Sequence, residues 1–248
     1  MSGQRVSVML HDAGEETWAA AVAHPMVREI AAGTLPHETF RGYFRQNVLY
    51  LEAYARAIGL LLAGAPDRSA LDVLTRFEIR IVQDEIPANL AFLEKLGGDE
   101  DTEAGRGRML PTTYSYTRHL LAVCAMEDCP AGLAAVLPCQ WSYGEIARPL
   151  MASRPADPIY ADWIALFGDD DYDGLVDDTT VLLDRLVDPN DGARVAALAD
   201  IFERSTWYER AFWDMAYGSA DGGSPDERAR EQARERARKQ AREQGGNP

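Results

Sequence analysis

The chain has 248 residues, 46% hydrophobic and 26% charged, with 40 acidic against 25 basic side chains and a formal charge of −15. That length allows one large domain or two small ones around a sizeable core, and so acidic a body repels nucleic-acid phosphates and anionic lipid. The longest apolar runs, such as Ile58 to Leu62, are too short to span a bilayer. No secretory leader is legible at the N-terminus, and three cysteines outside any CxxC spacing (Cys124, Cys129, Cys139) argue for a reducing compartment. The expectation is a soluble, cytoplasmic protein without nucleic-acid or membrane partners.

In chain order the pattern is helix after helix. Val6, Val8 and Leu10 alternate with polar neighbours, but the run is too short to build a sheet. A first helix is predicted over 14–32, ending at Gly33. Thr34 and Pro36 start a second, which runs to Leu62 and stops before Gly64-Ala65-Pro66. A third covers 68–96 and gives way to an acidic, glycine-rich loop from Gly98 to Gly107. Further helices are predicted over 112–126, 130–152, 158–167, 172–187 and 190–218. Helical periodicity this continuous predicts an all-α bundle as one domain over 1–223. Residues 224–248 carry seven basic and five acidic side chains and no Leu, Ile, Val or aromatic residue. Such a segment buries too little to order itself on the body, and a charged, solvated tail is expected.

The informative positions are polar groups on apolar stripes. In the second helix Tyr43, Phe44, Leu51, Tyr54 and Ile58 share a face that includes Asn47, with Tyr50 at its edge. A buried amide costs about 1–3 kcal/mol unless it finds partners, so Asn47 is either bonded to a neighbouring helix or faces a ligand. Near the C-terminus, Glu209 falls between Leu198, Phe202, Phe212 and Trp213; desolvation there raises a carboxyl pKa toward neutrality, which suits acid/base chemistry as well as a buried ion pair. Leu137-Pro138-Cys139 puts a thiol directly after an in-helix proline, with Tyr143 one turn on; an inert buried cysteine is the structural alternative. Tyr114-Ser115-Tyr116-Thr117 opens another helix with two ring hydroxyls.

Together these segments resemble the TenA family, the thiaminase II or aminopyrimidine aminohydrolase group. The likeness runs from the first helix to Tyr217. It is carried by Tyr43-Phe44-Arg45-Gln46-Asn47-Val48-Leu49-Tyr50-Leu51, Tyr116-Thr117, the Leu-Pro-Cys-x-Trp-x-Tyr-x-Glu motif from Leu137 to Glu145, Pro158 to Ile164, and Tyr208 to Tyr217. The resemblance implies a heme-oxygenase-like helical bundle, assembled as a homotetramer, needing no metal or organic cofactor. It implies hydrolysis of 4-amino-5-aminomethyl-2-methylpyrimidine, and in many members thiamin, to the hydroxymethylpyrimidine of thiamin salvage. By motif match Cys139 attacks the pyrimidine ring, and Glu209 protonates the leaving amine and then activates water. Tyr116 and Tyr143 position the reacting groups, and Tyr50 and Phe212 wall a flat heterocycle.

Two departures stand out. The family's aspartate on the second helix is Asn47 here, which cannot hold a negative charge against a cationic ring. A family tyrosine after Trp-Ile-x-x is Phe167, which removes a hydroxyl from the substrate site. These changes motivate an alternative, a non-catalytic or altered-specificity pyrimidine-binding protein on the same scaffold. A metal-dependent oxygenase needs clustered ligands, and the four histidines (His11, His24, His37, His119) are scattered.

Overall fold

The structure is a computed structural model that describes residues 4–97 and 107–218. Every element among them is helical: α1 (Val6–Ala13), α2 (Glu15–Val22), α3 (Pro25–Ala32), α4 (His37–Ala63), α5 (Arg68–Ile79), a π-helical segment (Arg80–Glu85), α6 (Ile86–Lys95), α7 (Pro111–Met126), α8 (Cys129–Leu150), α9 (Pro158–Phe167), α10 (Asp170–Leu186) and α11 (Gly192–Gly218). The described residues form a single all-α domain, and no described helix is long and apolar enough to cross a membrane. The glycine-rich loop over 98–106 and the charged segment 224–248 lie outside the described residues.

The acidic composition has a local use. Asp67, Asp128, Asp157 and Asp169 cap α5, α8, α9 and α10, each carboxylate accepting a hydrogen bond from a first-turn backbone N–H. Such caps satisfy donors that a helix cannot pair internally.

At the N-terminus one segment to which the sequence assigned no element is helical, and one expected helix is divided. Val6 to Leu10 is helical, and the start of α1 is satisfied from another helix: the Asp184 carboxylate of α10 accepts from Ser7 N at 2.7 Å and Ser7 Oγ at 3.0 Å. The single helix expected over 14–32 is broken between α2 and α3. Pro25 disfavours helical backbone at the preceding residue, and His24 instead turns its ring to accept from Met26 N at 3.1 Å. A third difference lies in 68–96, where the turn ahead of Pro87 widens into the π segment. Proline cannot donate to the carbonyl four residues back, that of Gln83, and its ring crowds it.

The site is positioned by α8, α4, α11 and α7. Helix α8 packs against α2, α4, α7, α9, α10 and α11. From Ala131 to Gln140 every residue of it is buried, as a central helix requires. The close approach of α4 depends on Gly132: a Cβ there would lie 2.1 Å from Leu61 Cδ2.

Candidate active site

Helix α8 runs through Pro138, whose missing N–H deletes one helical hydrogen bond just before Cys139. The flanking turns are held from outside. Tyr54 Oη donates to Val136 O at 2.7 Å, Tyr172 Oη to Gln140 O at 3.0 Å, and Ser142 Oγ to Cys139 O at 3.3 Å. Cys139 is thus fixed on a braced helix rather than a loop.

Helix α11 brings Glu209 beside the Cys139 thiol. From α7, Tyr116 Oη donates to Glu209 Oε1 at 2.5 Å, with the Tyr116 ring stacked on Tyr208. Burial drives the electrostatics. It raises the Glu209 carboxyl to about 7, against the opposing hydrogen bonds from Tyr116 and Cys139. Burial also pushes the Cys139 thiol well above its ordinary value; the Glu209 charge adds to this, and the Tyr50 hydroxyl pulls the other way. The resting thiol is therefore neutral at pH 7 and 9% exposed, whereas a reactive cysteine is expected to be partly thiolate and accessible. It becomes a nucleophile only by passing its proton on, and Glu209 is the adjacent acceptor.

On the other side of Cys139 is a small cavity lined by Asn47, Leu51, Tyr54, Phe77, Glu85, Cys139, Gln140, Tyr143, Phe167 and Tyr172. Of the residues singled out in the sequence, Asn47, Cys139, Tyr143 and Phe167 line it. Tyr143 is held by a hydroxyl–hydroxyl hydrogen bond to Tyr43 at 2.8 Å, and its ring meets Phe167 edge-on. Tyr50, Tyr116, Glu209 and Phe212 do not line the cavity. The Tyr50 ring packs against those of Tyr54, Tyr116 and Phe212 on the Glu209 side. Asn47 is bonded to a neighbouring element: its Nδ2 donates to Asn89 Oδ1 at 2.9 Å, and Asn89 Nδ2 donates to Glu85 O at 2.8 Å.

Sequence reasoning missed Glu85, buried at the end of the π segment and facing the cavity. The signal was present. Phe77, Ile81, Glu85 and Asn89 recur every four residues, so an acid continues an apolar stripe there as Glu209 does on α11. Gln140, in the variable position after Cys139, was also passed over; both of its amide atoms are buried without a protein partner. The four histidines are spread over other contacts: His24 on Asp214, His37 on Asp157, His119 on Ser205, and His11 between Trp18 and Trp141.

Residues 11–219 match the family model described as the TENA/THI-4/PQQC family. An aminopyrimidine aminohydrolase of Bacillus subtilis is 31% identical over 205 residues, covering 83% of this chain and 86% of that protein. Among solved structures, a TenA family transcription regulator from Silicibacter sp. TM1040 superposes with a TM-score of 0.78 at 28% identity, covering 87% of this chain and 97% of the other. A domain from Shewanella denitrificans described as having a heme oxygenase-like fold superposes with a TM-score of 0.67 at 14% identity, covering 85% and 91%, which bears on the fold alone. The motif that places Cys139 beside Glu209 and the match along most of the chain agree: this protein is a member of the TENA/THI-4/PQQC family, in its TenA group.

Proposed function

We propose that the protein is an aminopyrimidine aminohydrolase of thiamin metabolism, acting on 4-amino-5-aminomethyl-2-methylpyrimidine. The observation that carries this reading is the Cys139 thiol against a Glu209 carboxyl poised near 7, at the wall of a cavity lined largely by aromatic side chains. Glu209, ionised, takes the thiol proton as Sγ adds to the pyrimidine ring. The protonated Glu209 then gives that proton to the aminomethyl nitrogen, which leaves as ammonia while the ring electrons form the exocyclic double bond. Water, deprotonated by Glu209, adds at the methylene carbon; the ring expels the thiolate, which recovers a proton. The balance is amine plus water giving alcohol plus ammonia. One group serving as base and then acid works best with a pKa near the working pH. Tyr116 holds the carboxyl, and Tyr143 and Phe167 form a wall for the ring.

The test is ammonia and hydroxymethylpyrimidine release by the wild type, Cys139→Ala and Glu209→Gln. Turnover by the wild type and its loss in both variants are expected; an active Cys139→Ala sinks the reading. A second reading, a non-catalytic pyrimidine binder, draws on Asn47 and Phe167, where the cavity departs from the family pattern. Binding without turnover is its signature.

We also propose a homotetramer. The exposed Leu71, Ile79, Val82 and Val181 lie on α5, the π segment and α10, and packing between α5 and α10 brings them onto neighbouring surfaces. Light scattering checks the assembly.

A further inference from the structure

Glu85 is 6% exposed, lines the cavity that holds Cys139, and is an acid. Among the described residues no hydrogen-bond donor acts on its carboxyl; only the charges of Arg80 and Asp84 do. Arg80, whose charge acts on Glu85, makes its own contacts elsewhere, to Asp84 at 3.6 Å, Asp169 at 3.9 Å and the Leu166 carbonyl. A buried carboxyl without partners is costly, and such groups are kept where a ligand completes them. Its backbone supports this, because the π segment that ends at Glu85 is the type of irregularity that recurs at functional sites.

The neighbouring amides show why position 47 does not do this work. The backbone carbonyl of Glu85 only accepts, so Asn89 must turn its Nδ2 to it. Asn89 Oδ1 then faces Asn47 and fixes the Asn47 Nδ2 there. Asn47 is left with a neutral carbonyl oxygen for any ligand. Gln140, lining the same cavity with a buried and unpartnered amide, adds a second group that needs a polar ligand.

We propose that Glu85 grips the amidine edge of the aminopyrimidine, the ring nitrogen and the exocyclic amine beside it, and supplies the carboxyl that position 47 lacks. This rests on the aminopyrimidine reading of the cavity. The edge presents an N–H donor next to a ring nitrogen, and a carboxyl matches both in either state. As a carboxylate it accepts from the amine and from a protonated ring nitrogen; as the acid it accepts from the amine and donates to the ring nitrogen. Burial raises Glu85 to about 7, with Asp84 adding and Arg80 opposing, so both forms are available near neutrality.

Titration calorimetry with two unreactive ligands tests this: 4-amino-5-hydroxymethyl-2-methylpyrimidine and its analogue lacking the 4-amino group. Glu85→Leu, which removes both oxygens where Gln would still accept from the amine and donate to the ring nitrogen, should weaken the amino ligand about 10–100-fold, the worth of a hydrogen bond to a charged group, and weaken the analogue, which keeps only the ring nitrogen, several-fold less. Equal loss for both ligands marks Glu85 as structural and overturns the proposal, as does unchanged binding or a wild type that binds neither. If Glu85→Leu does not fold, Glu85→Asp takes its place, with a smaller loss that again falls mainly on the amino ligand. Turnover is measured separately: a wild type that binds the amino ligand through Glu85 but releases no ammonia refutes the hydrolase and leaves this site standing.

Discussion

Tyr116 Oη donates to Glu209 Oε1 at 2.5 Å, from a different helix and with both groups buried. The bond favours the ionised carboxyl and so opposes the burial that raises Glu209 to about 7. Tyr116→Phe removes the donor and should raise Glu209 further. If the ionised form takes the Cys139 proton, kcat/KM rises with pH through the Glu209 pKa, and Tyr116→Phe moves that limb to higher pH. A pH profile of both proteins checks it; an unmoved limb rules out Glu209 as the base.

The same carboxyl has a stability consequence of opposite sense to most acids. Its folded pKa, about 7, lies above the ordinary carboxyl value of 4.5, so between those values the folded state binds more protons than the unfolded one. Stability from this group is complete below about pH 4.5 and is lost as pH rises through 7. Glu209→Gln removes the ionised charge, and should leave stability near that of the wild type at pH 5 and raise it at pH 8, by roughly 2–3 kcal/mol. Denaturant titrations of both proteins at the two pH values decide it; a variant less stable at pH 8 contradicts the sign.

Glu209 and Cys139 were legible in the sequence because each breaks a helical stripe or follows an in-helix proline. Their meeting was not, since α8 and α11 are joined only by packing. The long helices after Gly33 were legible from periodicity and punctuation. The division at Pro25 and the π segment before Pro87 were not, because a 3.6-residue pattern continues across a local change of register. Glu85 escaped for the same reason: the π segment sets which face it presents, and spacing alone does not assign the cavity.

Gly132 is a test of the packing that presents Cys139, two turns further along α8. An added Cβ meets Leu61 Cδ2 at 2.1 Å and Leu61 Cγ at 3.2 Å, with Leu61 itself buried. Gly132→Ala should cost about 1–3 kcal/mol through overpacking. Combined with Leu61→Ala, which vacates the space, the two costs should fall well short of additive. Thermal unfolding of both single variants and the pair measures the coupling; additive losses contradict the contact.

Asn47→Asp is the substitution that the family pattern invites, and the structure argues that it fails alone. The new carboxylate would face Asn89 Oδ1, acceptor against acceptor. Asn89 relieves this only by flipping its amide, which turns its oxygen on the Glu85 carbonyl and loses the Nδ2 hydrogen bond there. Either arrangement leaves buried polar groups unpaired, at about 1–3 kcal/mol. The added charge also stands in the same cavity as Glu85 and pushes that carboxyl further up, toward the neutral acid. Asn47→Asp should therefore unfold at lower temperature than the wild type and gain nothing in kcat/KM on the aminomethylpyrimidine. Scanning calorimetry with a steady-state assay checks both. A stable variant with raised kcat/KM would show that position 47, and not Glu85, is where the ring's charge is met.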